Sequence, residues 1–454
     1  MLGSITNLLI VLAKNMCVVI VLAYVLTRTR IFSEVLDKKI SFRHRFFLMI
    51  LFGLFSIYGT LSGMELLGAV ANIRDLGPAI AGLYAGPVAG LGAGFIGAIH
   101  RYALGGITAL PCAVSTVIAG LAGGAIFLLK KDRFVGVPTA MVFAALMEVF
   151  HMVLALLLSS PHDQAMAIVK QVSVPMIVAN SLGMGVFAFM VSNLIRERET
   201  KAAKETIESE LRVAREIQMG IVPKIFPAFP DRPEFDIHAL LEPAKEVGGD
   251  LYDFFLFHDH LLYFVIGDVS GKGVPSSLFM AVTKTLIKAE AGKDHTDPAE
   301  ILFSVNNELS RDNESCMFVT IFLGMLDIRK GRILFCNGGH NPPYVFHRNG
   351  AVEMLPGTGD IALGAMEDVP YHQGSIALEY GDSLVLYTDG VTEAMDKEGN
   401  LFTEKRLEAA LRKLDHGASR EVSLAVFEEV KSFAAGTMQS DDITLLVLKY
   451  RASP

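Results

Sequence analysis

The sequence has no tryptophan, only four cysteines and little charge: 19% of its 454 residues are Asp, Glu, Lys or Arg, against 52% hydrophobic. Globular domains carry about 25% charge, so a wholly soluble chain is excluded and a membrane part with a soluble part is expected. Cys17, Cys112, Cys316 and Cys336 are far apart, without the paired spacing of a zinc site or the density of a disulfide scaffold. They read as buried small residues of a reducing compartment. Neither Cys316 nor Cys336 has an arginine six residues on, which removes a thiolate-and-arginine phosphate loop. A net charge of −8 without a basic, aromatic-interleaved patch argues against nucleic acid as a partner. No basic region precedes the first apolar block and no cleavage site follows it, so a cleaved signal peptide is not expected.

What the first half does have is apolar length. Six spans are expected at residues 5–26, 46–62, 76–98, 107–129, 135–158 and 168–195. Basic residues pull three segments to the cytoplasmic side: Arg28, Arg30, Lys38, Lys39, Arg43 and Arg45; Lys130, Lys131 and Arg133; and Arg196, Arg198 and Lys201. Six full spans cannot satisfy all three, so either one block is broken or re-entrant, or the first loop is an exception. The glycines of the third and fourth blocks suit close helix packing. Lys14, Asn15, Asn72, Arg74, Arg101, Glu148, His151 and Asn180 are polar residues at membrane depth, which either line a sensor pocket or hold the helices together as ion-pair glue. With Ala71-Asn72-Ile73-Arg74, Ala81-Gly82-Leu83-Tyr84-Ala85-Gly86-Pro87, Arg101…Gly105-Gly106, Met147-Glu148 and Pro175-Met176-Ile177-Val178-Ala179-Asn180-Ser181, residues 1–195 resemble the LytS-type membrane sensor region. The resemblance implies an input domain for a small-molecule or membrane signal and does not identify the ligand.

Residues 196–222 are charged and helix-favouring. Ile207, Leu211, Ala214, Ile217 (or Gln218) and Ile221 recur every three or four residues, as in a heptad seam of a signalling helix pairing two protomers. The alternative is a linker whose apolar stripe lies on its own domain. Pro223, Pro227 and Pro230 end the helix.

Beyond it, strands at 234–240, 261–266, 317–326, 332–337 and 383–387 mix with helices at 276–291, 298–309, 404–414 and 419–433, which suggests a layered α+β domain. Four times an aspartate stands beside an apolar run: Gly248-Gly249-Asp250, Gly267-Asp268-Val269-Ser270-Gly271-Lys272-Gly273, Thr388-Asp389-Gly390 and Ser440-Asp441-Asp442. Taken alone, the Asp268 turn also fits a solvated hairpin. A P-loop fails there, because Ile266 and Gly273 occupy positions that need Gly and Ser or Thr. Unpaired carboxylates repel, so gathering several makes sense around divalent cations. Two such ions can activate water for in-line attack on a phosphoryl group without a protein nucleophile, and oxygen ligands suit Mg2+ or Mn2+ rather than zinc.

With Glu246-Val247-Gly248-Gly249-Asp250-Leu251-Tyr252-Asp253, Asn337-Gly338-Gly339-His340-Asn341-Pro342-Pro343, Tyr387-Thr388-Asp389-Gly390-Val391-Thr392-Glu393, Asp441-Asp442-Ile443-Thr444 and the Asp268 motif, residues 223–450 resemble the SpoIIE/RsbU class of metal-dependent serine/threonine phosphatases, related to type 2C phosphatases. The linker's Ala214-Arg215-Glu216-Ile217-Gln218 followed by Pro223 matches too. The resemblance implies an α-β-β-α sandwich after the membrane helical bundle, two Mn2+ or Mg2+ ions, and a phosphorylated regulatory protein, such as an anti-sigma-factor antagonist, as substrate. It also implies metal ligands at Asp250, Asp268 (bridging), the Val269 carbonyl, Asp389 and Asp441, with Asp442 and Asp253 as further candidates. His340 is either a structural hydrogen-bonder or the acid that protonates the leaving group. A bacterial multi-pass membrane protein with a cytoplasmic phosphatase, acting as a homodimer, is expected. Among rivals, a diguanylate cyclase would use Gly248-Gly249-Asp250 but lacks the acidic-aromatic pair after it. A degenerate, sequestering domain would have lost an aspartate, and a transporter leaves the second half unexplained.

Overall fold

The computed structural model describes residues 2–37, 41–66, 69–130, 134–293, 297–414 and 416–452. Lys38, Lys39, Lys131 and Arg133 lie outside these residues. The chain divides into two compact units, Met1–Lys204 and Glu205–Pro454.

The first unit contains α1 (Leu2–Thr27), α2 (Arg30–Leu36), α3 (Phe42–Leu61), a hairpin of β1 (Met64–Leu66) and β2 (Ala69–Ala71), α4 (Leu76–Ala85), α5 (Pro87–Ala103), α6 (Ala109–Leu129), α7 (Val137–Leu158) and the greater part of α8 (His162–Ile221), whose last residues, from Glu205, belong to the second unit. Among the described residues, five helices are long and apolar enough to cross a membrane: α1, α3, α6, α7 and α8. The six-span expectation therefore needs correcting at the third block. Gly86 at φ 92°, followed by Pro87, breaks residues 76–98 into two helices, because a left-handed residue ends one helix and proline at the first turn starts the next. The two fold back on each other. A Cβ at Gly90 would come 2.6 Å from Gly82 Cα and 2.3 Å from the Gly120 oxygen, so backbones meet where only glycine fits.

The reversal decides which loops share an end of the bundle. Met49 of α3 reaches Gly92 and Ile96 reaches Gly53, so α3 and α5 run parallel. Pro87 faces Gly124 and Gly94 faces Val117, which sets α6 antiparallel to α5. Asn180 bonds Glu148, and Met141 packs on Gly185, which sets α8 antiparallel to α7. The start of α3, Gly86, the end of α6, the start of α7 and the segment after Ile195 thus lie at one end. Arg198 joins that segment directly to α2, bonding Ser33 and, at 3.4 Å, Asp37.

The second unit is an α-β-β-α sandwich. One antiparallel sheet contains β4 (Leu251–Phe257), β5 (Leu261–Val269), β6 (Val319–Asp327), β7 (Arg332–Gly338) and β10 (Gly374–Ala377), ordered β10-β7-β6-β5-β4. The other contains β3 (Phe235–Glu242), β8 (Tyr344–Phe346), β9 (Val352–Met354), β11 (Ser383–Tyr387) and β12 (Ile443–Tyr450), ordered β3-β12-β11-β8-β9. Leu262, Phe264 and Ile266 of β5 enter the core between the sheets, with Leu446 and Leu448 of β12. Leu261, Tyr263 and Val265 face α9 (Val274–Ala291) and α10 (Pro298–Ser310). Leu445 and Val447 face α12 (Thr403–Lys413) and α13 (Ser419–Phe433). Strands covered on both faces read as unbroken apolar runs, since alternation of side chains across a strand gives each face its own core.

Candidate metal centre

Each candidate aspartate stands at a strand end, where backbone pairing holds the main chain while the side chain is free to turn inward. Asp250 immediately precedes β4, and Asp268 lies near the end of β5. Asp389 starts the single turn α11 (Asp389–Thr392) after β11, and Asp441 and Asp442 precede β12. Cross-strand hydrogen bonds tie these segments together. The Thr388 and Thr444 hydroxyls donate to Asp250 Oδ2 at 2.7 and 2.5 Å.

Asp268 is pushed up to about 7, first by burial and then by Asp389 and Asp441. Burial and Asp441 lift Asp389 to about 6, and burial with Asp268 and Asp442 raises Asp250. Crowded carboxylates in a low-dielectric place hold protons that water would otherwise take. The nearest basic partner is Lys272, whose ammonium lies 2.7 Å from Asp441 Oδ2 and donates to the Ser440 oxygen at 2.7 Å.

The remaining candidates separate by environment. Asp442 accepts from Ala244 N at 2.8 Å and Gly249 N at 2.7 Å, and so shapes the loop before Asp250. A Cβ at Gly248 would come 2.0 Å from Asp442 Oδ2. The Val269 oxygen faces Gly249. Asp253 points elsewhere and pairs with Lys284 of α9 at 2.6 Å. His340 is buried and pushed down to about 4 by burial. It bonds the Thr320 hydroxyl at 2.9 Å, while its backbone is clasped by Asn337 at 2.7 and 3.0 Å. Thr320 is the register partner of Asp268. An imidazole so placed supports the strand carrying Asp268.

In the first unit, five of the eight expected polar residues meet. Asn72, Arg74, Glu148, His151 and Asn180 are buried together. His151 Nδ1 lies 3.0 Å from Glu148, and Asn180 donates to Glu148 at 3.0 Å. Arg101 is buried but bonds Gly105 O and Thr108. Lys14 is exposed and needs correcting: its neighbour Asn15 is the inward residue, bonded to Ser62 O at 3.3 Å. Sequence reasoning missed Asp75, Ser115 and Thr116 as members of this cluster. Asp75 pairs with Arg74 at 3.2 Å and accepts from Ser115 and Thr116 at 2.9 and 2.7 Å. An aspartate next to an arginine at membrane depth was the available signal.

The stripe expected along the linker is divided between two faces. Leu211 and Ala214 are half-buried and Gln218 is buried, whereas Ile207, Ile217 and Ile221 are exposed. Gln218 rather than Ile217 takes the inward position.

The SpoIIE model (stage II sporulation protein E) matches residues 258–451, and the model "5TMR of 5TMR-LYT" matches residues 29–194. Protein IcfG of Synechocystis is 30% identical over 53% of this chain and 41% of its own length. Sensor protein LytS of Bacillus subtilis is 31% identical over 44% of this chain and 37% of its own. Phosphoserine phosphatase RsbU of Bacillus subtilis is 27% identical over 56% of this chain and 74% of its own. The chain thus spans less than half the length of IcfG and of LytS. One chain thus carries a match to the 5TMR-LYT model and, after it, a match to the SpoIIE model.

Proposed function

We propose that the chain is a membrane-anchored sensory protein serine/threonine phosphatase, acting on a phosphoserine or phosphothreonine of a regulatory protein. The observation that carries this reading is the meeting of Asp250, Asp268, Asp389 and Asp441 at adjoining strand ends. The name of RsbU, a phosphoserine phosphatase, supports the substrate class.

The residues fit a pair of hard cations, Mn2+ or Mg2+. All donors are oxygens, the carboxylates are crowded, and Asp389 Oδ1 is buried without a hydrogen-bond partner. Asp250, Asp268, Asp389 and Asp441 would hold the ions, which supply an activated water and stabilise charge on the phosphoryl group. Thr388 and Thr444 engage one oxygen of Asp250 and leave the other for coordination. Asp442 orders the backbone approaching Asp250. Lys272, half-exposed at the rim, offers a positive charge to an incoming phosphate.

The division of the third block supports a cytoplasmic phosphatase. With that block turned back at Gly86, the described basic residues Arg43, Arg45, Lys130, Arg196 and Arg198 share one end of the bundle, which the positive-inside rule assigns to the cytoplasm. The cluster around Arg74, Glu148 and His151 is the place for the input signal. Ile207, Ile217 and Ile221 are the surface through which two protomers' linkers pair.

The deciding experiment incubates the full-length protein with phosphorylated candidate regulators, with Mn2+ and with excess chelator. Phosphate release that requires Mn2+ is expected. Undiminished release in chelator, or none from any phosphoserine or phosphothreonine substrate with Mn2+ bound, overturns the reading.

A further inference from the structure

The last turns of α8 reach the candidate metal centre through one side chain. Gln218 is 5% exposed. Its Nε2 donates to the Gly248 oxygen at 2.6 Å, and the Gly248 N–H donates to its Oε1 at 3.1 Å. One planar amide therefore satisfies both polar groups of one backbone residue, as a neighbouring strand would. Of the neutral side chains of this length, only glutamine carries a donor and an acceptor side by side; leucine and methionine supply neither, and ionised glutamate only accepts.

The position of Gly248 gives this contact its meaning. Two residues before Asp250, the chain is gripped on its inner side by Asp442, which accepts from Gly249 N at 2.7 Å and from Asp250 N at 3.4 Å. Gln218 grips it on the outer side. Glycine at 248 is what permits Asp442 to lie so close. Two flanking contacts tie the same pieces together: Arg215 donates to the Lys245 oxygen at 3.3 Å, and the Tyr252 hydroxyl to the Pro223 oxygen at 2.5 Å. The end of α8 and the segment carrying Asp250 are thus one hydrogen-bonded body, with Gln218 as its buried connection.

We propose that Gln218 is a positioning residue for the metal centre, holding the Gly248–Asp250 segment in the conformation that presents the Asp250 carboxylate. This deepens the phosphatase reading, on which it rests, and names where a displacement of the linker helix would reach the metal set. Partners that orient a metal ligand contribute about 10- to 100-fold to metal affinity, so the connection is strong enough to matter.

The test compares full-length wild type, Gln218→Leu and Gln218→Glu. Leucine removes both bonds; glutamate keeps the acceptor and loses the donor. Three readouts are taken: Mn2+ affinity by paramagnetic resonance of the free ion, amide exchange of residues 245–250 in chelator, and hydrolysis of p-nitrophenyl phosphate against Mn2+ concentration. Gln218→Leu is expected to bind Mn2+ about tenfold more weakly, to exchange faster at 245–250 and not elsewhere in the unit, and to recover wild-type kcat at saturating Mn2+. Gln218→Glu should fall between the two. If the leucine variant does not fold, the glutamate variant decides by the same readouts. Wild-type Mn2+ affinity and exchange in a folded variant overturn the proposal. So does faster exchange spread evenly over the unit, which marks a packing role only. A wild type that binds Mn2+ but hydrolyses no phosphoester refutes the phosphatase reading, while the Mn2+ and exchange results still judge Gln218.

Discussion

Each unit buries a cluster of ionisable groups, and the two clusters differ in charge balance. In the membrane unit Arg74 faces Asp75, and His151 faces Glu148. Thr116, Ser115 and Asn180 take up further lone pairs of the two carboxylates. In the second unit Asp250, Asp268 and Asp389 crowd together, and Lys272 pairs with Asp441 at the rim. A balanced network can stand in a low-dielectric place by itself, whereas a surplus of like charge stands only with protons or outside cations. The membrane cluster therefore holds itself together, leaving Arg74 Nη1 and Asn180 Oδ1 without hydrogen-bond partners, and the other is the one proposed to take metal.

The largest break in this contrast comes from Asp268→Asn. Losing the carboxylate proposed to bridge two ions should lower Mn2+-dependent phosphate release by about three orders of magnitude or more, with Mn2+ binding reduced in parallel. Retention of a tenth of the activity would refute the bridging role.

Next is Arg74→Met, which leaves Asp75 buried without its cation. Breaking a buried pair costs about 3–5 kcal/mol, so the membrane unit should melt markedly earlier in detergent. Hydrolysis by the phosphatase unit of small phosphoesters should be unaffected. An unchanged melt would mean that Ser115 and Thr116 alone satisfy Asp75.

A pH titration sharpens the comparison further. Asp268 and Asp389 sit at about 7 and about 6 when folded, whereas an unfolded aspartate ionises near 4. A raised folded-state pKa adds stability that is complete below about 4 and is lost as pH rises through 6 to 7. In chelator, the second unit should melt at progressively lower temperature from pH 5 to pH 8, and Mn2+ should cancel the trend. A flat profile in chelator would mean that the carboxylates are not crowded in solution.

The smallest effect is expected from Lys272→Met. Removing the cation that competes for Asp441 should tighten Mn2+ binding several-fold, roughly the scale of one partly screened charge pair. Calorimetric titration reads this directly, and weaker binding would assign Lys272 to supporting the site instead.

Much of this was legible in the chain. Runs such as Leu261–Ile266, followed by Gly267-Asp268, marked strand and site together, because a strand covered on both faces must be apolar and a functional carboxylate needs a rigid end to stand on. The short strands β8, β9 and β10 were not legible, and neither was β4, whose Phe254-Phe255-Leu256-Phe257 run carried a signal that the neighbouring Gly248-Gly249-Asp250 motif obscured. Lys14 and Asn15 differ by one residue and face opposite ways on α1; a helix apolar nearly all round gives periodicity little to work on.

By itself the sequence determined the two-part organisation, the membrane character of the first half and the aspartates of the second, since these depend on composition, length and local spacing. Tertiary structure decided three other things. It folded block three back at Gly86, where helices α4, α5 and α6 could meet only across Gly82, Gly90 and Gly120. It turned Asp253 away from the centre towards Lys284. It also gave the inward position of the linker to Gln218 instead of Ile217. In each case the outcome depends on which distant groups come within bonding distance, information that local pattern does not carry.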